Sequence, residues 1–226
     1  MKSNIKKSIF MIVIIILFCG LMAIIDGIYK ADYFIKSAIK LVLFMALPLL
    51  YSLYDREIKI KEIFRPQKNG MRLAFILCIS VYAVILGGYL FLKDIFDFSK
   101  ITDSLTTNIG VTGTNFIFVS IYISFVNSLL EEFFFRGFAF LTLKKMTGKK
   151  FAYIFSAAMF SIYHIAMMIG WFDIKVFLIV MVGLFAGGLI FNYLNDKSVT
   201  LYPSWLVHMF ANFAINTIGF MLFGII

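Results

Sequence analysis

Long apolar stretches separated by short polar segments make up most of the chain. Runs long enough to cross a bilayer lie near 8–29, 37–54, 73–92, 115–141, 151–170, 176–194 and 199–225. A helix rising 1.5 Å per residue needs about 20 apolar residues to span the hydrocarbon core. The pattern therefore predicts an all-α fold, a polytopic membrane helix bundle of about seven transmembrane helices. The second run is the weakest, because Lys36, Lys40 and Pro48 interrupt it. The longest polar segment, 55–72, is too short for a soluble domain, and no internal repeat is visible. Lys2, Lys6 and Lys7 before the run Ile9 to Ile25 imitate a signal peptide, but Phe18-Cys19-Gly20-Leu21 is a poor cleavage site. The run is expected to stay as a first helix.

Composition agrees: 62% of residues are hydrophobic and 15% charged, with a mean hydropathy of +0.96. A soluble domain cannot hide that much apolar surface. The net charge of +9 is explained by basic loops that meet anionic lipid and fix orientation, so no nucleic-acid partner is implied. With the N-terminus inside, segments 1–7, 55–72, 142–150 and 195–198 hold fourteen Lys and Arg, against six in 26–40, 93–114 and 171–175. This predicts a multi-pass cell-membrane protein with a cytoplasmic N-terminus. The discordant segment is 26–40, with three lysines on the wrong side. Abundant Ile, Phe, Lys and Asn suggest a low-GC bacterial source. Cys19 and Cys78 fall inside apolar runs and read as buried thiols.

Against this background a few polar residues stand out. Glu131-Glu132 and Arg136 lie in the fourth span, His164 in the fifth, His208 and Asn212 in the seventh. Ionisable groups at membrane depth are costly unless paired or facing a polar cavity, and usually mark function. Counted from the inner ends at 1.5 Å per residue, Glu131 and His164 lie about 20 Å deep, His208 about 16 Å and Asn212 about 22 Å. Three helices thus bring these groups to one level. Glu132 and Arg136 are four apart, in the favourable order for a helical ion pair. Glu131, rotated about 100° away, is expected to be the carboxylate left free for chemistry. With a nearby histidine it could hold and deprotonate a water. His208 and Asn212, also four apart, could donate to one oxyanion, and Phe160, a turn before His164, would wall the site. Taken singly, the acid–arginine pair could be a clamp between helices and each His or Asn interhelical glue. Two histidines and a glutamate are also a legitimate zinc set, though no H-E-x-x-H pattern is present. The expectation is no cofactor, with a zinc-dependent variant as the competitor.

These motifs resemble those of the CPBP family, which covers CAAX-processing type II endopeptidases and bacteriocin-processing or immunity (Abi) proteins. Its E-E-x-x-x-R motif matches Glu131-Glu132-Phe-Phe-Phe-Arg136, its F-x-x-x-H motif Phe160 to His164, and its H-x-x-x-N motif His208 to Asn212. The resemblance covers about 113–225, so residues 113–226 read as a catalytic core and 1–112 as transmembrane helices without a recognised motif. It implies a glutamate-dependent intramembrane endopeptidase acting on a membrane-associated peptide or protein. Glu131 and His164 would activate water, His208 and Asn212 would bind the oxyanion, and Glu132 and Arg136 would shape the helix. The substrate does not carry over with the motifs, and neither does the oligomeric state. The alternatives are a non-catalytic immunity or scaffolding protein, and a transporter using Glu131 for proton coupling. A transporter would be expected to show repeats or broken helices, and the sequence shows neither.

Overall fold

The structure, a computed structural model, describes residues 2–55 and 60–226, with side chains from Ile5 onward. Arg56 and Lys59, two of the basic residues assigned to the inner loops, and the side chain of Lys2, lie outside the described set. Among the described residues every regular element is helical. Seven helices are long and apolar enough to cross a membrane: α1 (Ile5–Tyr29), α2 (Tyr33–Tyr54), α3 (Met71–Leu92), α5 (Phe116–Thr147), α6 (Lys149–Met168), α7 (Ile174–Ser198) and α8 (Tyr202–Leu222). Of the two described helices outside the spans, Ile60–Ile63 is a single turn, and α4 (Ser99–Ile109) is mostly polar and lies in the segment expected to be loop.

The start of α2 changes the picture most. Asp32 caps it, its carboxylate accepting from the amides of Phe34 (2.9 Å) and Ile35 (3.1 Å). The cap satisfies donors that the first turn leaves free, so the helix begins at Tyr33 rather than near residue 37. Lys36 and Lys40 therefore belong to a span and not to an outer loop. Lys36 pairs with Asp26 at 2.7 Å, and Lys40 points into the bundle. The discordant charge in 26–40 falls from three lysines to Lys30 alone.

The core is aromatic. Phe133, Phe134 and Phe135, the residues between the two acids and Arg136, are all fully buried. Phe134 stacks on Phe44 of α2 at 4.1 Å, and Phe133 on Phe64 at 5.8 Å. Lipid is as apolar as phenylalanine, so this packing stabilises through close contact rather than by removing surface from water. At the α6–α7 crossing, a Cβ on Gly188 would stand 3.0 Å from Ala157, and only glycine lets these backbones approach so closely.

α5, which carries the acids, is irregular. It widens into π-type turns at Ile123–Asn127 and Glu132–Leu141, a distortion often found at functional sites. Side chains of α8 bind its backbone there: Asn212 donates to the carbonyl of Ile123 and Asn216 to that of Ser120, both at 3.1 Å. Such bonds are how membrane helices tolerate departures from regular geometry.

Candidate active site

Glu131 sits at the meeting point of α2, α5, α6 and α8. Its side chain is 3% exposed. One oxygen, Oε1, accepts from Lys40 Nζ at 2.5 Å and from Asn127 Nδ2 at 3.0 Å. The other, Oε2, is buried with no hydrogen-bond partner among the described residues. It faces Nε2 of His164 at 3.7 Å and Nε2 of His208 at 3.6 Å.

The histidine tautomers follow from what their other nitrogens touch. His164 Nδ1 lies 2.7 Å from the carbonyl of Phe160. A carbonyl only accepts, so Nδ1 carries the proton and Nε2 presents a lone pair. His208 Nδ1 lies 3.0 Å from Glu132 Oε1, which as a carboxylate also accepts. For His208 to donate from Nε2 as well, its ring must carry both protons, with Glu132 as counter-ion. The two histidines are therefore not equivalent: one is held by a neutral carbonyl, the other by an acid.

Glu132 serves two partners. The same Oε1 lies 3.4 Å from Arg136 NH1. Arg136 is fully buried, and its guanidinium makes no hydrogen bond among the described residues. Its charge is instead sandwiched between Phe160 at 4.1 Å and Phe191 at 4.8 Å, in cation–π contact. Phe191 also stacks on His208 at 5.3 Å, and the Phe160 ring stands 4.8 Å from His164. The site is thus walled on one side by two aromatic rings.

Residues 113–214 match the family model for type II CAAX prenyl endopeptidase Rce1-like proteins. Residues 113–214 are an Rce1-like domain of the CAAX protease family. Searches of curated proteins and of solved structures each returned no match. The matched segment is the part of the bundle that is similar to this protease family. It contains Glu131, Glu132, Arg136, Phe160, His164, His208 and Asn212.

The structure brings Glu131, His164 and His208 to one point and joins Glu132, Arg136 and Phe160 behind them. Two expectations change. Glu131 is not a free carboxylate, because Lys40, from outside the Rce1-like domain, is paired with it. His208 and Asn212 each have one hydrogen-bonding group already engaged. His208 binds Glu132, and one amide N–H of Asn212 is used on the Ile123 carbonyl, leaving its second N–H. Lys40, Asn127 and Phe191 were missed by sequence reasoning. Lys40 had a usable signal, being a cation eight residues after a helix-capping aspartate, within an apolar run. Phe191 had none, being one of 28 phenylalanines. Among the described residues no three His, Cys, Asp or Glu side chains stand in a metal-holding arrangement. Cys19 and Cys78 are free and buried.

A cavity of about 230 Å³ opens at the end of the bundle opposite the N-terminus. Lys36, one turn before Lys40, and Ala166, two residues after His164, both line it. Asn108 of α4 and Trp171 complete the rim, with the Trp171 indole donating to Ser104 at 2.9 Å.

Proposed function

We propose that the protein is a glutamate-dependent intramembrane endopeptidase that hydrolyses a membrane-associated peptide or protein with a water activated by Glu131. One observation carries the reading: Glu131 Oε2, buried and without a hydrogen-bond partner, faces two histidine Nε2 atoms at 3.6 and 3.7 Å. A water there would transfer one proton to the carboxylate as it attacks and would donate its other O–H in a hydrogen bond to His164, whose Nε2 lone pair is directed at it. Attack on a peptide carbonyl creates an oxyanion. His208, doubly protonated with Glu132 as counter-ion, and the remaining N–H of Asn212 would stabilise it. The amine leaving group would take back the proton held by Glu131. No metal ion is required by these steps.

A second reading has zinc joining the site: with a neutral His208, two His and one Glu are the residue types of a zinc donor set, although among the described residues they do not stand in a metal-holding arrangement. Exhaustive treatment with phenanthroline separates the two. Two quenched-fluorescence peptides serve as probes, one farnesylated with a CAAX-type end and one unprenylated and apolar. On the glutamate reading cleavage survives chelation, and Asn212→Ala lowers kcat by about 10²–10³, the usual loss for one oxyanion donor. Loss of cleavage on chelation, restored by stoichiometric zinc, with a mild Asn212→Ala, would establish the zinc reading instead.

A further inference from the structure

We infer that Lys40, from the N-terminal part of the chain that the Rce1-like match does not reach, is a positioning residue for Glu131. It acts with Asn127 as a clamp that keeps the carboxylate ionised and turns Oε2 toward the histidines. The inference deepens the proteolytic reading and rests on it.

Lys40 is 3% exposed and crosses from α2 to α5. Its Nζ lies 2.5 Å from both Glu131 Oε1 and Asn127 Oδ1. The ring of Tyr163 lies 4.9 Å away and that of Phe44 5.5 Å. The ammonium is thus enclosed by two oxygen acceptors and two aromatic faces. Asn127 closes the arrangement: its oxygen accepts from Lys40 while its nitrogen donates to Glu131 at 3.0 Å. It sits one turn before Glu131 on the same helix, so all three groups are fixed relative to one another.

A carboxylate in an apolar span is costly as an anion, and only the anion can accept a proton from water. An ammonium in contact offsets that cost. By occupying Oε1, Lys40 and Asn127 also leave Oε2 as the one oxygen available for chemistry, and Oε2 is the oxygen facing His164 and His208. A lysine serving only to tie α2 to α5 would need neither the shared oxygen nor the amide between them.

The test uses full-length protein and the two quenched peptides. Lys40→Met should lower kcat by about 10²-fold or more with KM nearly unchanged, since Lys40 touches the catalytic carboxylate and not the peptide, and without it Glu131 is left protonated and unable to act as a base. Dicyclohexylcarbodiimide, which adds to protonated carboxyls in apolar surroundings, provides a readout independent of proteolysis. Mass spectrometry should find Glu131 labelled in Lys40→Met and unlabelled in wild type. A folded Lys40→Met with kcat within twofold of wild type, or with Glu131 still unlabelled, would overturn the inference. Should Lys40→Met fail to accumulate, Asn127→Leu decides: kcat about five- to tenfold lower at unchanged KM supports the clamp, and wild-type kcat overturns it. If wild type cleaves neither peptide while Lys40→Met gains the label, the proteolytic reading fails and the clamp stands.

Discussion

Arg136 shows how finely the charges of this site are balanced. It has one carboxylate at 3.4 Å, shared with His208, and two aromatic faces. Truncation to alanine leaves Glu132 buried with only a histidine, and breaking a buried pair costs about 3–5 kcal/mol. Arg136→Ala should therefore lower yield and thermal stability along with activity. Glu131→Gln differs in kind, because it preserves shape and can still accept from Lys40. It should fold and lose cleavage, with a melting temperature in detergent that falls less than that of Arg136→Ala, because Lys40 keeps two amide oxygens as acceptors. Equal loss of folding in both variants would argue that the cluster is structural. The acids and histidines were legible in the sequence because charge inside an apolar run has few bland explanations. Lys40 was not, because a lysine near a span end reads as a loop charge. Only the Asp32 cap, which moves the helix start four residues earlier, shows it to lie inside. Asn212 was legible as a polar residue at the right depth, but its bond to the Ile123 carbonyl depends on a distortion of α5 that no residue pattern announces.

At the scale of elements, the spans were readable from hydropathy because the bilayer fixes their length. α4 was not, since a short amphipathic helix is mostly polar. Its Ile101, Leu105 and Ile109 spacing is nonetheless helical. The wide turns of α5 were also hidden, and they matter because they set where Glu131, Glu132 and Arg136 point. α8 steadies them through Asn212 and Asn216. Replacing Asn216 by leucine removes bonds to the Ser120 carbonyl and the Ser124 hydroxyl. Interhelical bonds of this kind contribute about 0.6 kcal/mol on average, so a small fall in thermal stability is expected. Gly188→Val should be worse. Its side chain meets the Ala157 backbone, which cannot move aside, and overpacking of this kind costs about 1–3 kcal/mol. Thermal unfolding in detergent should rank Gly188→Val below Asn216→Leu. The reverse order would mean that the α6–α7 crossing is looser than described.

For the whole molecule, seven spans place the two chain ends on opposite sides of the membrane. With Lys36 and Lys40 inside the bundle, the Lys and Arg asymmetry favours a cytoplasmic N-terminus more strongly than the sequence tally did. Reporter fusions at Lys61 and Lys145 should read cytoplasmic, and one at Phe98 external. The cavity beside Lys36 would then face outward, and Asn108→Cys should react with an impermeant maleimide added to intact cells. An external reading at Lys145 would reverse the orientation of the entire site. The N-terminal helices are also more than a frame for the Rce1-like domain: α1 contributes Phe18 beside Phe134, and α2 supplies Lys40 and Phe44. The most direct test of the central claim is cleavage of the quenched peptides by purified protein after exhaustive chelation, wild type beside Glu131→Gln. Persisting cleavage by wild type and none by the folded Glu131→Gln variant is the predicted result. Equal cleavage by both proteins, or wild-type cleavage that returns only with added zinc, would contradict it.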